Sequence, residues 1–495
     1  MSRRQRGLIL RALAFLFFIN AASVVLYLLL HPRPSSPPRQ TLTLAPTPPF
    51  PSLKPWPPLP SFLPWLPPPN PPVGSCEAFF GHGFSDRVDL FPISPSASGW
   101  FRCHHSKTLR SSVCEGGGIR MDPGRIAMSR GGERLEEVIG RGEDDEMPKF
   151  EAGAFEIELD MPGDSKVVDK AFLDRYLRQG QVGVHTMRSL LDSIRAVEPG
   201  KLGCSLWIEE PTVLVTRFEY ANLFHTVTDW YSAYVSSRIT GLSKRPHLVF
   251  VDGHCKAPLE ETWEALFSTV RYAKHFSGPV CFRHAIFSPL GYETALFKGL
   301  SEQINCHGTS ANILHENPDD TRTARLSEFG EMLRAAFGLV VDGMQAKPST
   351  GHNVLFVRRE DYLAHPRHTG KVESRLSNEQ EVFDSVSKWA SNHSICKINM
   401  ANGLFAHMHM KEQLQAIQEA SVVIGAHGAG LTHLVSATPN TIVLEIISSN
   451  YRRPHFALIS KWKGLEYHAI DLFGSYAVPD EVIEKLSMIM RSFGC

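Results

Sequence analysis

Residues 422–447, VVIGAHGAGLTHLVSATPNTIVLEII, decide the predicted fold of this chain. A short apolar run leads into a glycine-rich turn, a helical pattern and a second apolar run, which predicts a strand over 422–424, a helix over 430–436 and a strand over 441–447. Apolar strands that alternate with helices are typical of parallel sheets covered on both faces. The segment therefore predicts a doubly wound α/β unit.

The same alternation extends in both directions along the chain. Around the central segment we predict strands over 353–357, 395–399 and 465–470 and helices over 379–390, 412–420 and 481–493. Upstream we predict strands over 155–159, 213–216, 247–251 and 280–287 and helices over 223–239, 259–267 and 326–339. We also predict a solvated loop at 143–146 and a linker between domains at 342–351. The fold class is thus α/β, with two facing Rossmann-like domains at 76–345 and 346–495.

The glycine-rich turn is the strongest candidate for a ligand site. Glycines let a ligand approach the backbone, and the N-terminus of a helix offers free N–H groups. We assign a diphosphate to this turn and place His427, Gly428, Ala429 and Gly430 in the site; an ordinary turn between strand and helix is the alternative. The spacing is not the G-x-G-x-x-G of dinucleotide sites.

Charged residues at two other strand ends complete the candidate donor site. Glu445, near the end of the strand over 441–447, is predicted to bind ribose hydroxyls or, alternatively, to pair with Arg452 or Arg453. Arg358 and Arg359 follow the strand over 353–357, where one guanidinium is expected to reach the diphosphate and the other to form an ion pair.

A histidine and an aspartate mark the upstream domain. His225 and Asp229 are four residues apart on the helix over 223–239, so both lie on one face. A transfer reaction must remove a proton from the attacking hydroxyl, and this pair could supply a base and its orienting partner. A local helix-capping hydrogen bond is the alternative.

The N-terminal 75 residues predict a membrane anchor on a stalk. A cytosolic tail at 1–11 holds four arginines, an apolar run at 12–30 is long enough to span a bilayer, and a proline-rich stem covers 31–75. This pattern predicts type II topology with a lumenal body, and a cleaved signal peptide is the alternative. Lumenal topology would make Asn392 available for glycosylation and would allow some of the nine cysteines to form disulfides.

Charge and absent motifs exclude several functions. The formal net charge is zero and no dense basic patch occurs, which argues against nucleic-acid binding. Asp-x-Asp does not occur in the sequence, so no carboxylate pair is evident for a metal on a diphosphate. We therefore expect a metal-independent reaction without a cofactor, in which arginine and the helix end meet the charge of the leaving group.

Four segments together resemble glycosyltransferase family 61, namely FHTVTDWYSAYVSSR at 224–238, LVFVDGHC at 248–255, FVRRED at 356–361 and the segment at 422–447. The resemblance covers nearly all of the chain from Cys76 onwards. It maps the family's His-x-x-x-Asp onto His225 and Asp229, its arginine strand end onto Arg358 and Arg359, and its His-Gly-Ala loop onto 427–429.

This resemblance implies an inverting glycosyltransferase with two Rossmann-like domains, the GT-B type, resident in the Golgi membrane. It further implies transfer of xylose from UDP-xylose in β-1,2 linkage to the core β-mannose of N-glycans on glycoproteins. Two alternatives keep the fold: another transfer within the family, either of N-acetylglucosamine to O-linked glycans or of a pentose to xylan, and a non-catalytic lumenal glycan-binding protein.

Overall fold

The computed structural model describes residues 50–62, 84–93, 99–179, 182–183, 185–298, 326–341, 351–359, 366–367 and 375–495. The chain divides into a unit at 1–50 and a compact body at 51–495, and the first unit lies outside the described residues apart from Phe50. The predicted tail, the membrane span at 12–30 and most of the linker at 342–351 also lie outside them. Within the described ranges, no helix is both long and apolar enough to cross a membrane.

The body is a mixed α/β fold, and in the described residues its strands form three larger sheets and one two-stranded ladder. In chain order the strands are β1 (Asp86–Phe91), β2 (Trp100–Ser106), β3 (Ser111–Gly117), β4 (Ile119–Met121), β5 (Ile126–Ala127), β6 (Lys149–Phe150), β7 (Phe155–Glu158), β8 (Arg195–Val197), β9 (Leu206–Ile208), β10 (Thr212–Val215), β11 (His247–Phe250), β12 (Val270–Tyr272), β13 (Val280–Phe282), β14 (Ala285–Phe287), β15 (His352–Val357), β16 (Ile398–Gly403), β17 (Val422–Ala426), β18 (Ile442–Ser448) and β19 (Glu466–Leu472).

The helices connect and cover these sheets. In chain order they are α1 (Glu143–Glu146), α2 (Lys170–Tyr176), α3 (Thr186–Ser193), α4 (Leu223–Ile239), α5 (Glu260–Leu266), α6 (Ala295–Lys298), α7 (Leu326–Ala336), α8 (Glu379–Ser391), α9 (Met410–Glu419), α10 (His455–Lys463) and α11 (Pro479–Ser492). Most of α4 is buried, as expected for a helix that is largely apolar around its circumference, and the side chain of Asn222 caps its start by accepting from Phe224 N–H.

The first sheet has the order β1-β2-β3-β14-β10-β11-β12. Its half from β14 to β12 is parallel, as predicted from the alternation of strands and helices. The strands β1, β2 and β3 extend it as an antiparallel meander, which the sequence did not indicate. The prediction of a parallel upstream sheet is therefore wrong for the strands β1 to β3.

A second sheet, β8-β7-β4-β13-β9, mixes parallel and antiparallel pairs. The single strand predicted over 280–287 is wrong, because β13 belongs to this sheet and β14 to the first. Two short apolar runs joined by only two polar residues resemble one continuous strand in the sequence. Arg283 and His284 make the crossing between the two sheets.

The third sheet confirms the prediction made from residues 422–447. Its order is β16-β15-β17-β18-β19 with every pair parallel. Counted along the chain this is the order 2-1-3-4-5, whose direction of winding reverses between β15 and β17. Ligands of such sheets bind at the carboxyl ends of the strands beside that reversal.

Three local predictions need correction. The segment after β17 is a 3-10 helix, Ala429–Ser436, and not the predicted α-helix. The sequence could not distinguish the two, because eight residues are too few to show the difference in helical period. The strand predicted over 395–399 begins at Ile398 instead. The acidic run at 143–146 is helix α1, and the buried carboxylate of Glu146 contacts His254 and Arg367 at 3.1 and 2.7 Å.

Part of the predicted stem is packed on the body. Trp56 donates from Nε1 to the carbonyl of Leu242, and its ring lies under the guanidinium of Arg238. Leu59 is buried, and Ser61 donates from its backbone N–H and its hydroxyl to the buried carboxylate of Glu331. Residues 54–61, which we call the docked segment, differ from the extended stem predicted through residue 75.

Three disulfides occur in the described residues, in line with the prediction that some cysteines pair. They join Cys103 to Cys114, Cys204 to Cys281 and Cys396 to Cys495. Cys255 is a buried free thiol, and Cys76 and Cys306 lie outside the described residues. Asn392 is exposed at the end of α8, so its side chain is open to glycosylation.

Candidate active site

A cavity of about 380 Å³ lies at the carboxyl ends of strands from the first and third sheets. Its wall is formed by Asn222, Phe224, His225, Phe297, Arg359, Arg375, His427, Gly428, Ala429, Arg453, His455 and Phe456. Arg359 follows β15 and His427 follows β17, so the cavity contains the reversal point of the third sheet. The start of α4 supplies the opposite wall.

The glycine-rich turn lines this cavity, as the sequence predicted. His427, Gly428 and Ala429 are on its wall, whereas Gly430 is outside it. A Cβ at Gly428 would lie 3.1 Å from Nη1 of Arg359, and one at Gly430 would lie 2.8 Å from Cγ1 of Val357. The two glycines thus allow the turn to pack against the end of β15.

Glu445 does not face the cavity, which differs from its predicted contact with ribose and from the alternative pairing with arginine. Its side chain is buried, with Oε1 2.5 Å from Nδ1 of His427 and Oε2 accepting from the hydroxyl of Tyr467 at 2.6 Å. Because Nδ1–H of His427 donates to this carboxylate, Nε2 is the nitrogen left for a ligand. Glu445 therefore orients His427.

The two adjacent arginines diverge. Arg359 lines the cavity, whereas Arg358 donates to Gln380 at 2.8 Å and lies 3.5 Å from the carboxylate of Glu379. Of the two roles predicted for this pair, the ion pair belongs to Arg358 and the position on the cavity wall belongs to Arg359. Arg359 is the one placed to bind an anion, and Arg358 holds the start of α8.

Three basic residues of the cavity were missed from the sequence. Arg375 precedes α8, and Arg453 and His455 lie at the start of α10. Burial, with the neighbouring His427, Arg453 and His225, lowers the pKa of His455 to about 4, so this ring is neutral at physiological pH. Its face stacks on Phe224 at a centroid distance of 5.2 Å. The run YRRPH at 451–455 places basic residues just beyond a predicted strand end, and this pattern could have indicated Arg453 and His455 as site residues.

His225 and Asp229 lie on one face of α4 but make no hydrogen bond to each other in the described structure. His225 lines the cavity and its Nε2 lies 3.0 Å from Oε2 of Glu219. Asp229 is buried behind the cavity, where Oδ1 accepts from Gly291 N–H at 3.0 Å. We expected Asp229 to orient His225, but the carboxylate that contacts His225 is that of Glu219.

The electrostatics of the cavity favour an anionic ligand. Arg359, Arg375 and Arg453 bring three guanidinium groups to its wall, and the described residues that line it include no carboxylate. Arginine and a neutral histidine donor suit a diphosphate, whose oxygens accept charge-assisted hydrogen bonds. Phe224, Phe297 and Phe456 add apolar faces on which a base or a sugar ring could stack.

Elsewhere in the described residues, one group of side chains has the spacing of a metal site: His352, Cys396 and Cys495. Two of these three are joined in a disulfide, so their sulfurs are not free thiolates. This group lies apart from the residues that line the cavity.

Comparison with known proteins assigns the family. The family model described as Glycosyltransferase 61 matches residues 80–444. A protein of Oryza sativa subsp. japonica named β-1,2-xylosyltransferase is 68% identical over 86% of this chain and 80% of its own length. One of Arabidopsis thaliana with the same name is 56% identical over 100% of both chains.

More distant relatives carry a different name. A protein of Gallus gallus named EGF domain-specific O-linked N-acetylglucosamine transferase is 23% identical over 56% of this chain and 46% of its own length. The family match includes the cavity residues His225, Arg359 and His427, and the buried Asp229 behind them. The chain therefore belongs to glycosyltransferase family 61 and is a glycosyltransferase.

Proposed function

We propose that this protein transfers xylose from UDP-xylose, in β-1,2 linkage and with inversion, to the core β-mannose of N-glycans. The observation that carries the proposal is a cavity with three arginines and an oriented His427 in a chain whose relatives at 68% and 56% identity are named β-1,2-xylosyltransferase. A sugar nucleotide is the donor, and a glycan is the acceptor.

In this proposal the third sheet binds the donor and the first sheet faces the acceptor, in the two-domain manner of GT-B enzymes. The diphosphate lies against Arg359, Arg375 and Arg453, and Nε2 of His427, whose Nδ1–H is directed at Glu445, accepts from a sugar hydroxyl. Negative charge grows on the diphosphate as the glycosidic bond breaks, and donors already in place stabilise it without reorganisation. Phe224 and Phe297 offer stacking surfaces for the sugar or the base.

The protein beginning at Pro51 should be tested with a panel of UDP-sugars and a defined N-glycan, with the product linkage determined by NMR. Transfer from UDP-xylose to give a β-1,2 product is the expected result. Transfer of N-acetylglucosamine to an O-linked acceptor, the activity in the names of the relatives at 20–23% identity, would replace the proposal. Transfer of a pentose to xylan would do the same.

Metal independence is part of the proposal. In the part of the chain that the structure describes, the cavity wall has no carboxylate, and the sequence has no Asp-x-Asp, so we assign the charge of the diphosphate to the arginines. We predict that EDTA leaves the transfer rate within about twofold of its starting value, because the loss of one strong charge-stabilising group would cost about a hundredfold or more. Complete loss in EDTA, restored by Mn²⁺, would contradict this prediction.

We also propose that residues 12–30 anchor the protein in the Golgi membrane with the body in the lumen. Three disulfides in the body support an oxidising compartment. A glycosidase-sensitive shift in mass at Asn392, in protein extracted from membranes, would test this topology. An unmodified Asn392 in a body exposed to the cytosol would overturn it.

A further inference from the structure

The contacts of His225 lead to Glu219, a residue to which the sequence pattern gives no role. Burial lowers the pKa of His225, so its ring is neutral near pH 7, and its Nε2 lies 3.0 Å from Oε2 of Glu219. The other ring nitrogen, Nδ1, is buried and has no hydrogen-bond partner among the described residues. Neither nitrogen is thus open to an acceptor hydroxyl.

This geometry is the reverse of a dyad in which histidine is the base. In such a dyad a carboxylate holds one ring nitrogen and the other nitrogen faces the substrate. Here the second nitrogen of His225 is closed off, whereas the side chain of Glu219 is 46% exposed. The carboxylate is the basic group that a glycan arriving from solvent can reach.

A second donor fixes the same carboxylate. The hydroxyl of Tyr292 donates to Oε1 of Glu219 at 3.0 Å, and its ring stacks on His225 at a centroid distance of 5.0 Å. One oxygen of Glu219 thus accepts from Tyr292 and the other lies beside His225, and each keeps a lone pair for a proton. The carboxylate is held in one orientation beside the wall of the cavity that His225 forms.

Asp229 supports this arrangement from behind. Its Oδ1 accepts from Gly291 N–H, which begins the short 3-10 helix Gly291–Glu293 that carries Tyr292. A Cβ at Gly291 would lie 2.4 Å from that oxygen, so the contact requires glycine. His225 therefore contacts Tyr292 and Glu219 directly, whereas Asp229 reaches them through the backbone of Gly291.

We propose that Glu219 is the general base of the transfer, and that His225, Tyr292 and Asp229 are its positioning residues. The inference rests on the proposed function. Glu219 takes the proton of the acceptor hydroxyl while the hydroxyl oxygen forms its bond to the anomeric carbon. The bond from that carbon to the diphosphate oxygen breaks, and its electron pair leaves with the nucleoside diphosphate, which Arg359 and Arg375 bind.

The test compares UDP binding with transfer rate in matched variants. Glu219→Gln should lower kcat by roughly 10² to 10⁴, the range for a lost acid or base, and leave the Kd for UDP within about twofold. Glu209→Gln is the control, because Glu209 is an exposed carboxylate that pairs with Arg283 at 3.2 Å and takes no part in the cavity. It should match the wild type in both measurements.

Chemical rescue separates a base from a positioning residue. Formate added to Glu219→Ala should restore part of the rate, whereas His225→Ala, which retains the carboxylate, should not respond to formate. The proposal is overturned if Glu219→Gln keeps the wild-type kcat or loses UDP affinity, if formate leaves Glu219→Ala unchanged, or if imidazole alone restores His225→Ala to full rate.

The failure of the proposed function would look different. All rates are compared with the wild type using the UDP-sugar that the wild type transfers. If that sugar is not xylose, the proposed function fails, and the ratio of variant to wild-type rate still decides the role of Glu219.

Discussion

At the residue scale, the candidate site depends on which of two neighbouring side chains turns toward the cavity. Arg358 and Arg359 are adjacent at the end of β15, yet Arg359 lines the cavity and Arg358 contacts Glu379 and Gln380. Successive residues of an extended chain point in opposite directions, so one position decides whether a guanidinium meets a ligand or a helix.

The two arginines provide a matched pair of variants. Arg359→Ala should raise the Kd for UDP by roughly 10- to 100-fold, because a hydrogen bond to a charged group contributes about 1.5–3 kcal/mol. Arg358→Ala should change the Kd by less than about threefold and lower the melting temperature slightly, since it removes an ion pair of α8. Calorimetric titration with UDP and thermal melts measure both, and the opposite ranking would contradict the geometry.

Asp229 should make stability depend on pH. Burial raises the pKa of this carboxyl to about 8, from an ordinary value of 3.8. Between these values the folded protein retains a proton that the unfolded chain has released, so the contribution of Asp229 to the free energy of unfolding falls as pH rises toward 8. Asp229→Asn stays neutral and lacks this dependence.

We therefore expect Asp229→Asn to gain stability relative to the wild type as the pH rises through this window. Urea unfolding at intervals from about pH 5 to about pH 8 measures the difference, which equals the integrated effect of one titrating group. Parallel stability curves for the two proteins would show that Asp229 is ionised throughout.

At the element scale, the docked segment is part of the body. Lys54 donates from Nζ to the carbonyls of Glu264 and Phe267, Trp56 packs edge-on against Tyr234, and Leu59 is 8% exposed. These contacts join the segment to α4 and to the end of α5. Proline prevents regular secondary structure in the segment, but it does not prevent packing.

A protein that starts at Ser75 should be less stable than one that starts at Pro51. Losing the burial of Leu59 lowers the free energy of unfolding by about 1.5–3 kcal/mol. Leaving the buried carboxylate of Glu331 without its hydrogen bonds from Ser61 lowers it by about 1–3 kcal/mol more. We predict a melting temperature lower by roughly 4 °C or more, since each kcal/mol shifts a large domain by about 2–4 °C. Equal melting temperatures would show that the docked segment contributes nothing.

At the scale of the whole molecule, the C-terminus is fastened to the third sheet. The disulfide from Cys396 to Cys495 spans 99 residues and joins the last residue of the chain to the approach to β16. Nearby, the ring of His352 at the start of β15 stacks on Phe493. The bridge closes the segment that includes α9, α10, α11 and the strands β16 to β19.

Replacing both cysteines with serine should lower the free energy of unfolding by about 2–5 kcal/mol, because the bridge restricts the unfolded chain over a long loop. UDP affinity well below the melting temperature should change little, since the bridge lies apart from the cavity. Cys255→Ser, which removes a free buried thiol, is the control and should have the smaller effect. Equal melting of the double variant and the wild type would contradict this.

The sequence alone determined the features that local pattern encodes. Apolar runs that alternate with helical periods predicted the parallel sheet β15 to β19 and the parallel half of the first sheet, because burial on both faces requires continuous apolar strands. The motifs placed Arg359 and His427 at strand ends, where a parallel sheet binds ligands. They also indicated the family, which comparison with known proteins confirmed.

Only the tertiary structure decided which of these groups meet. Glu445 bonds His427 from 18 residues away, and His225 pairs with Glu219 instead of Asp229. The antiparallel meander and the docked segment also depend on contacts between distant parts of the chain, such as Ser61 with Glu331 at a separation of 270 residues. Periodicity reports the face on which a residue lies, whereas these pairings depend on how separate elements pack together, and a local pattern contains no information about that packing.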